Sequence, residues 1–149
     1  MRTAPASIAL LLLRVVLGVV FIAHGWQKLA TQGIQGTSEG FAQMGVPLAE
    51  IAGPAVIALE IGGGVLLILG LATRVVGALL AIDMIVAWAL VHAGSGFFAQ
   101  DGGFEYVLVL TVIGAALAVA GPGTIALDAA VGGAVRSRRT RRGLTPARA

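Results

Sequence analysis

The run LLLRVVLGVVFIAHGWQKL at positions 11–29 is almost wholly apolar, yet it carries Arg14, His24 and Lys28. Later apolar runs carry Glu60, Asp83, His92 and Glu105, with Trp88 one helical turn before His92. An ionised side chain facing lipid at mid-membrane costs at least about 2.5–3.5 kcal/mol, so such groups turn inward, pair, or handle protons. Arg14 and Glu60 have the chemistry of a buried structural ion pair. The surplus carboxyl, Asp83, must then take up a proton or meet water. His24, Lys28, Glu60 and Asp83 are therefore the candidate proton-handling groups. A histidine pair can exchange protons near neutral pH, which adds His92 to the candidates.

Depth arithmetic sorts these residues into layers. At about 1.5 Å of rise per residue, Arg14, Asp83 and Glu60 fall about 12–15 Å from the terminal ends of their helices. His24, His92 and Glu105 fall at about 25–27 Å, with Lys28 slightly beyond. On the first helix Arg14, Gly18, Phe21, Gly25 and Lys28 follow one stripe, and the two glycines permit close approach of a neighbour. On the second, Gly53, Val56, Glu60, Gly63 and Leu67 form a similar stripe. Asp83 and His92 are nine residues apart, which places them about 180° apart around an ideal helix. Either that helix bends, or one face meets a second protomer, or His92 lies at the headgroup boundary.

The elements that must position these residues are membrane helices. The 149 residues are 58% hydrophobic and 11% charged, with a mean hydropathy of +0.96, whereas soluble domains carry roughly 25% charged residues. A span needs about 20 apolar residues, and the segments 6–28, 47–70, 74–93 and 104–122 qualify. Arg14 and the length of the first segment argue against a cleaved signal sequence. Gly70 to Arg74 forms a tight turn, and Gly121-Pro122-Gly123 stops the fourth span. Thr37 or Ser38 can cap a short interfacial helix over 38–44, ended by Gly45, before Pro47 opens the second span. The fold class expected is all-α: an integral membrane four-helix bundle over 1–128 with that short interfacial helix in its first outer loop.

Charge sets the expected direction. Arg2, Arg74 and the tail fall on one side, while Glu39, Glu50 and Asp101 occupy the other, so both termini are expected in the cytoplasm. The stretch 129–149 reads as an unstructured basic tail whose Arg136, Arg138, Arg139, Arg141 and Arg142 meet anionic lipid headgroups. With no folded module or interleaved aromatics beside those arginines, nucleic acid is not an expected partner. There are no cysteines, which removes disulfides, thiol relays and thiolate-held zinc or iron–sulfur clusters. No metal site is expected.

In order and spacing, the chain resembles the DoxX family of small four-helix bacterial membrane proteins. The matching pieces are Leu13-Arg14 with Gly18, Phe21, His24-Gly25 and Lys28-Leu29, then Gly45-Val46-Pro47. Glu60-x-Gly62-Gly63 follows, with Leu69-Gly70-Leu71, Thr73-Arg74, Met84-x-x-Ala87, Gly121-Pro122-Gly123 and Leu127-Asp128. Ala126 stands where the family usually has serine. The resemblance spans about 8–128 and implies a compact bundle in the bacterial inner membrane. It also implies a redox connection, because relatives include subunits of quinone-linked oxidoreductases.

On that reading the chain is an accessory or quinone-handling subunit, with His24, His92, Glu105 and Trp88 as the candidate quinone pocket. No flavin or nicotinamide fingerprint is present, so electrons come from a redox partner protein or a small reductant. The glycine run after Glu60 lies mid-span and reads as helix packing rather than a phosphate cradle. Haem held between His24 and His92 is chemically sound but less expected than quinone. The alternatives are a small transporter or proton-conducting bundle, which needs a homo-oligomer to make room for substrate, and a scaffold acting through its outer loops or tail.

Overall fold

The computed structural model describes residues 3–129; the arginines at 136–142 lie outside them. The described residues form five α-helices. Helix α1 (Ala4–Gln27) runs through a five-residue π-turn (Lys28–Gln32) into α2 (Gly33–Gln43). Helix α3 spans Ala49–Leu69, and α4 (Thr73–Ala87) ends in a second π-turn (Trp88–His92). A 3₁₀ turn (Ala99–Asp101) precedes α5 (Glu105–Ala120). The stretches Ala4–Gln43, Ala49–Leu69 and Thr73–His92 are long and apolar enough to cross a membrane, and α5 is a shorter apolar helix. At about 1.5 Å per residue α5 covers about 24 Å. The all-helical membrane bundle is as the sequence indicates.

The short helix over 38–44 needs correction. It begins earlier, at Gly33, whose φ of +69° and ψ of 177° interrupt the helical path that runs on from α1 through Gln32. Thr37 and Ser38 lie inside it rather than capping it, and their hydroxyls donate back to the carbonyls of Gly33 (2.8 Å) and Ile34 (3.1 Å). Both are buried, since α2 folds onto α3 where Gly53 leaves Ser38 room; a Cβ at Gly53 would collide with the Ser38 hydroxyl. Gly45, at φ +77°, ends α2 as expected.

Glycines decide which helices pair. A Cβ on Gly18 would lie 2.6 Å from the Gly64 carbonyl oxygen, and one on Gly64 would lie 2.6 Å from that of Gly18, so α1 and α3 touch backbone to backbone. Gly77 and Gly114 do the same for α4 and α5, at 2.8 and 3.0 Å. The two pairs close around Leu17, Phe21, Leu67, Leu80 and Leu117, each no more than 1% exposed. Most remaining large apolar side chains point outward, as lipid-facing surfaces must. The end bearing the start of α1, the 70–72 turn and the end of α5 is called terminal below; the end bearing α2 is called distal.

At the terminal end, Arg74 donates to the carbonyls of Val119 (2.6 Å), Ala118 (3.2 Å) and Ala120 (3.5 Å). A cation there satisfies the last carbonyls of α5 and complements its dipole. The Thr124 hydroxyl donates to that of Ser7 at 2.8 Å, tying the segment after α5 to α1.

Candidate functional site

Antiparallel packing of α1 on α3 sets which residues meet. Gly18 lies against Gly64 and Ile68, and Gly25 lies against Glu60 and Ile61. Lys28, one turn further along α1, therefore reaches Glu60, with its Nζ donating to both carboxylate oxygens at 2.7 and 2.8 Å. The Glu60 side chain is 3% exposed and that of Lys28 is 25% exposed. The expected pair of Arg14 with Glu60 is not formed. Helix α1 begins about three turns beyond the terminal end of α3, so Arg14 lies level with Gly70, ten residues or about 15 Å from Glu60.

Arg14 instead anchors the terminal end. It is fully buried, its Nη2 donates to the Ile125 carbonyl, and Asp128 acts on it electrostatically. Gly70 covers the guanidinium; a Cβ there would overlap Nη1. The Asp128 amide donates to the Gly70 carbonyl at 3.1 Å, which closes this cluster. The Nε and Nη1 groups of Arg14 have no hydrogen-bond partner among the described residues.

Above the leucine core, in the distal half, lies a cavity of about 550 Å³, within the usual range for small-molecule sites. His24 and Lys28 reach it from the first helix, Glu60 from α3, and Asp83 and His92 from α4 and its π-turn. The walls are otherwise mainly apolar, with Phe21, Val56, Met84, Val107 and Leu110 prominent, and Thr37 and Phe41 of α2 line it as well. Asp83 shares an electrostatic field with Glu60 and Lys28, and its Oδ2 is buried with no hydrogen-bond partner among the described residues. The two carboxyls of the expected middle layer thus share one ammonium, but it is that of Lys28, which depth arithmetic places in the outer layer, and not Arg14.

Asp83 and His92 line the same cavity although nine residues separate them. The π-turn at Trp88–His92 narrows the angle between them, because an i→i+5 turn holds more residues than an α-turn and each residue rotates the helix by less, and the wide cavity takes in both. His92 Nδ1 donates to the Gly102 carbonyl at 2.7 Å, which leaves Nε2 available. The His24 ring lies 6.0 Å from that of Tyr106.

Two candidate residues stand elsewhere. Trp88 is 44% exposed and packs edge-on against Phe104 with centroids 6.0 Å apart. Glu105 Oε1 accepts the Ala99 amide proton at 2.9 Å and so fixes the loop before α5. Tyr106 and the α2 side chains Thr37 and Phe41 are lining residues that spacing did not reveal. Ser38, placed to meet Gly53 on the next helix, was the available sign that α2 packs inward. Among the described residues no group of three or more His, Asp or Glu side chains is placed to hold a metal ion.

Comparison with known proteins agrees with this architecture. The DoxX family profile matches residues 9–93. "Putative oxidoreductase CatD" of Bacillus subtilis (strain 168) is 40% identical over 122 residues, covering 82% of this chain and 86% of that protein. "Inner membrane protein YqjF" of Escherichia coli (strain K12) is 32% identical over 124 residues, 82% and 91% of the respective chains. "Inner membrane protein YphA" of the same strain is 28% identical over 133 residues, 84% and 91%. No solved structure matches the chain. With the family profile covering more than half its length and a relative 40% identical across most of both sequences, the chain belongs to the DoxX family.

Proposed function

We propose that this is a bacterial inner-membrane protein whose distal cavity binds a quinone or quinol, and that it serves membrane redox chemistry as a quinone-handling or accessory subunit. The observation that carries this reading is the convergence of His24, Lys28, Glu60, Asp83 and His92 on one apolar-walled cavity at membrane depth. Reducing a quinone to a quinol takes two electrons and two protons. In an apolar cavity the protons must come from titratable side chains. The Asp83 carboxyl, which lines the cavity, and the Nε2 of His92 are suited to hydrogen-bond the two ring oxygens. The Lys28–Glu60 pair can take up or release a proton beside them.

Electrons are supplied from outside the chain, by a partner protein or a small reductant. The name of the Bacillus subtilis relative accords with a redox role, and those of the Escherichia coli relatives with an inner-membrane address. The distribution of arginine and lysine favours a distal end outside the cytoplasm.

Quinone binding and quinone-dependent turnover in reconstituted protein test the reading. Both should fall about tenfold or more in His24→Ala and Glu60→Ala. Unchanged binding and turnover in both variants would overturn it.

A further inference from the structure

We infer that the cavity is loaded sideways, through a lateral opening between α3 and α4, by a membrane-dissolved ligand whose apolar tail stays in that opening. The identity of the polar head rests on the proposed function; the opening does not. Each other boundary of the cavity is crossed by a contact. At the level of the cavity the α1–α3 seam is crossed by Gly25 against Glu60 and Ile61 and by the Lys28–Glu60 pair, the α4–α5 seam by Trp88 against Phe104, and the α1–α5 side by the His24 and Tyr106 rings. Helix α2 covers the distal end from one side, and the hydrogen bond of His92 to Gly102 holds the other.

Helices α3 and α4 differ. They are joined tightly at Gly70 to Ala72, and Gly63 still lies against Val76 and Leu80, with Cβ distances of 3.2 and 3.6 Å. Beyond that level the cavity begins, lined by Val56 of α3 and by Val86 of α4 and Leu90 of its π-turn. Val86 and Leu90 are 45% and 40% exposed while also lining the cavity, so they form its lip. They lie about 20–25 Å along the helix from Thr73, within the roughly 30 Å hydrocarbon layer. An opening onto water would have a polar rim; this one is valine and leucine. The arrangement fits an amphipathic ligand with its head near Glu60 and Asp83 and its tail passing between Val56 and Val86 into the distal leaflet.

Because the chain has no cysteine, single-cysteine variants at these positions can be labelled without background. Val56→Cys, Val86→Cys and Leu90→Cys, spin-labelled in liposomes, should collide with dissolved oxygen more readily than with an aqueous nickel chelate. Equal or greater access for the nickel chelate at positions 86 and 90 would overturn the opening, whatever the ligand proves to be. The tail is tested with a decyl-substituted benzoquinone and its tail-less parent, after a bismaleimide joins Val56→Cys to Ala87→Cys in the folded protein. The decyl compound should lose about tenfold or more in affinity, or about 1.4 kcal/mol or more, while the tail-less parent holds. A single-arm maleimide should change neither. Undiminished decyl binding to the bridged protein would overturn the tail's course. If unbridged protein binds neither benzoquinone, the proposed function fails while the collision data still decide the opening.

Discussion

Glu60 is 2% exposed, and both its carboxylate oxygens are taken by Lys28. Removing the cation alone strands a buried anion, whereas removing both charges leaves a neutral site that packing can accommodate. Lys28→Met should therefore destabilise the protein by about 3 kcal/mol, near the low end for a buried pair because Lys28 keeps a quarter of its exposure. The double variant Lys28→Met, Glu60→Gln should regain most of that loss, as read from thermal unfolding in detergent. Equal losses in both variants would mean that the pair does not hold α1 to α3. Sequence depth correctly put Glu60 and Asp83 in one layer, since both lie a similar distance from the 70–72 turn that joins their helices. It could not say which cation meets them. That depends on how far α1 runs past the end of α3, a quantity set by the Gly18–Gly64 crossing and by residues 121–128 packing over Arg14.

At the scale of elements, the helices were legible from length and apolarity alone, and their pairing was partly legible from glycine spacing. Gly18 and Gly25 marked the contact face of α1, and Gly53, Gly63 and Gly64 turned out to be buried on α3. The glycine run after Glu60 holds a built-in contrast. A Cβ on Gly62 meets nothing within 4 Å, while one on Gly64 strikes the Gly18 carbonyl at 2.6 Å and the Ile22 side chain at 2.7 Å. Gly62→Ala should hold or raise the melting temperature, since alanine favours helix over glycine by about 1 kcal/mol. Gly64→Ala must push α1 away and should lower it, because a backbone oxygen cannot swing aside as a side chain can. Matching shifts in the two variants would show that the α1–α3 contact is not glycine-limited. The π-turns were not legible, because no residue type between Lys28 and Gln32 or between Trp88 and His92 demands one. That is why the opposed faces of Asp83 and His92 looked irreconcilable on an ideal helix.

Seen whole, the molecule separates two polar regions with a dry layer. Arg14 and Asp128 gather at the terminal end, and Lys28, Glu60 and Asp83 gather beneath the distal cavity. Between them Leu17, Phe21, Leu67, Leu80 and Leu117 are at most 1% exposed and belong to one packed cluster. A proton crossing the protein would need a chain of water or titratable groups through that layer, and close-packed leucines provide neither. The two functions suggested by charges at mid-membrane, proton handling at a pocket and conduction through the bundle, thus make opposite demands on the same five side chains. Proteoliposomes carrying a pH-sensitive dye and an imposed potassium diffusion potential should acidify no faster than empty liposomes. Leu80→Asn, which places an amide at the centre of the layer beside Leu67, should admit water and raise the rate. Asp83→Asn alone should leave the basal rate unchanged, because the barrier lies below that carboxyl rather than at it. Rapid proton flux through the unaltered protein that is lost in Asp83→Asn would reverse this assignment and make the cavity the mouth of a conduction path. The decisive structural variable is therefore the dryness of the leucine layer, which a single buried amide is enough to change.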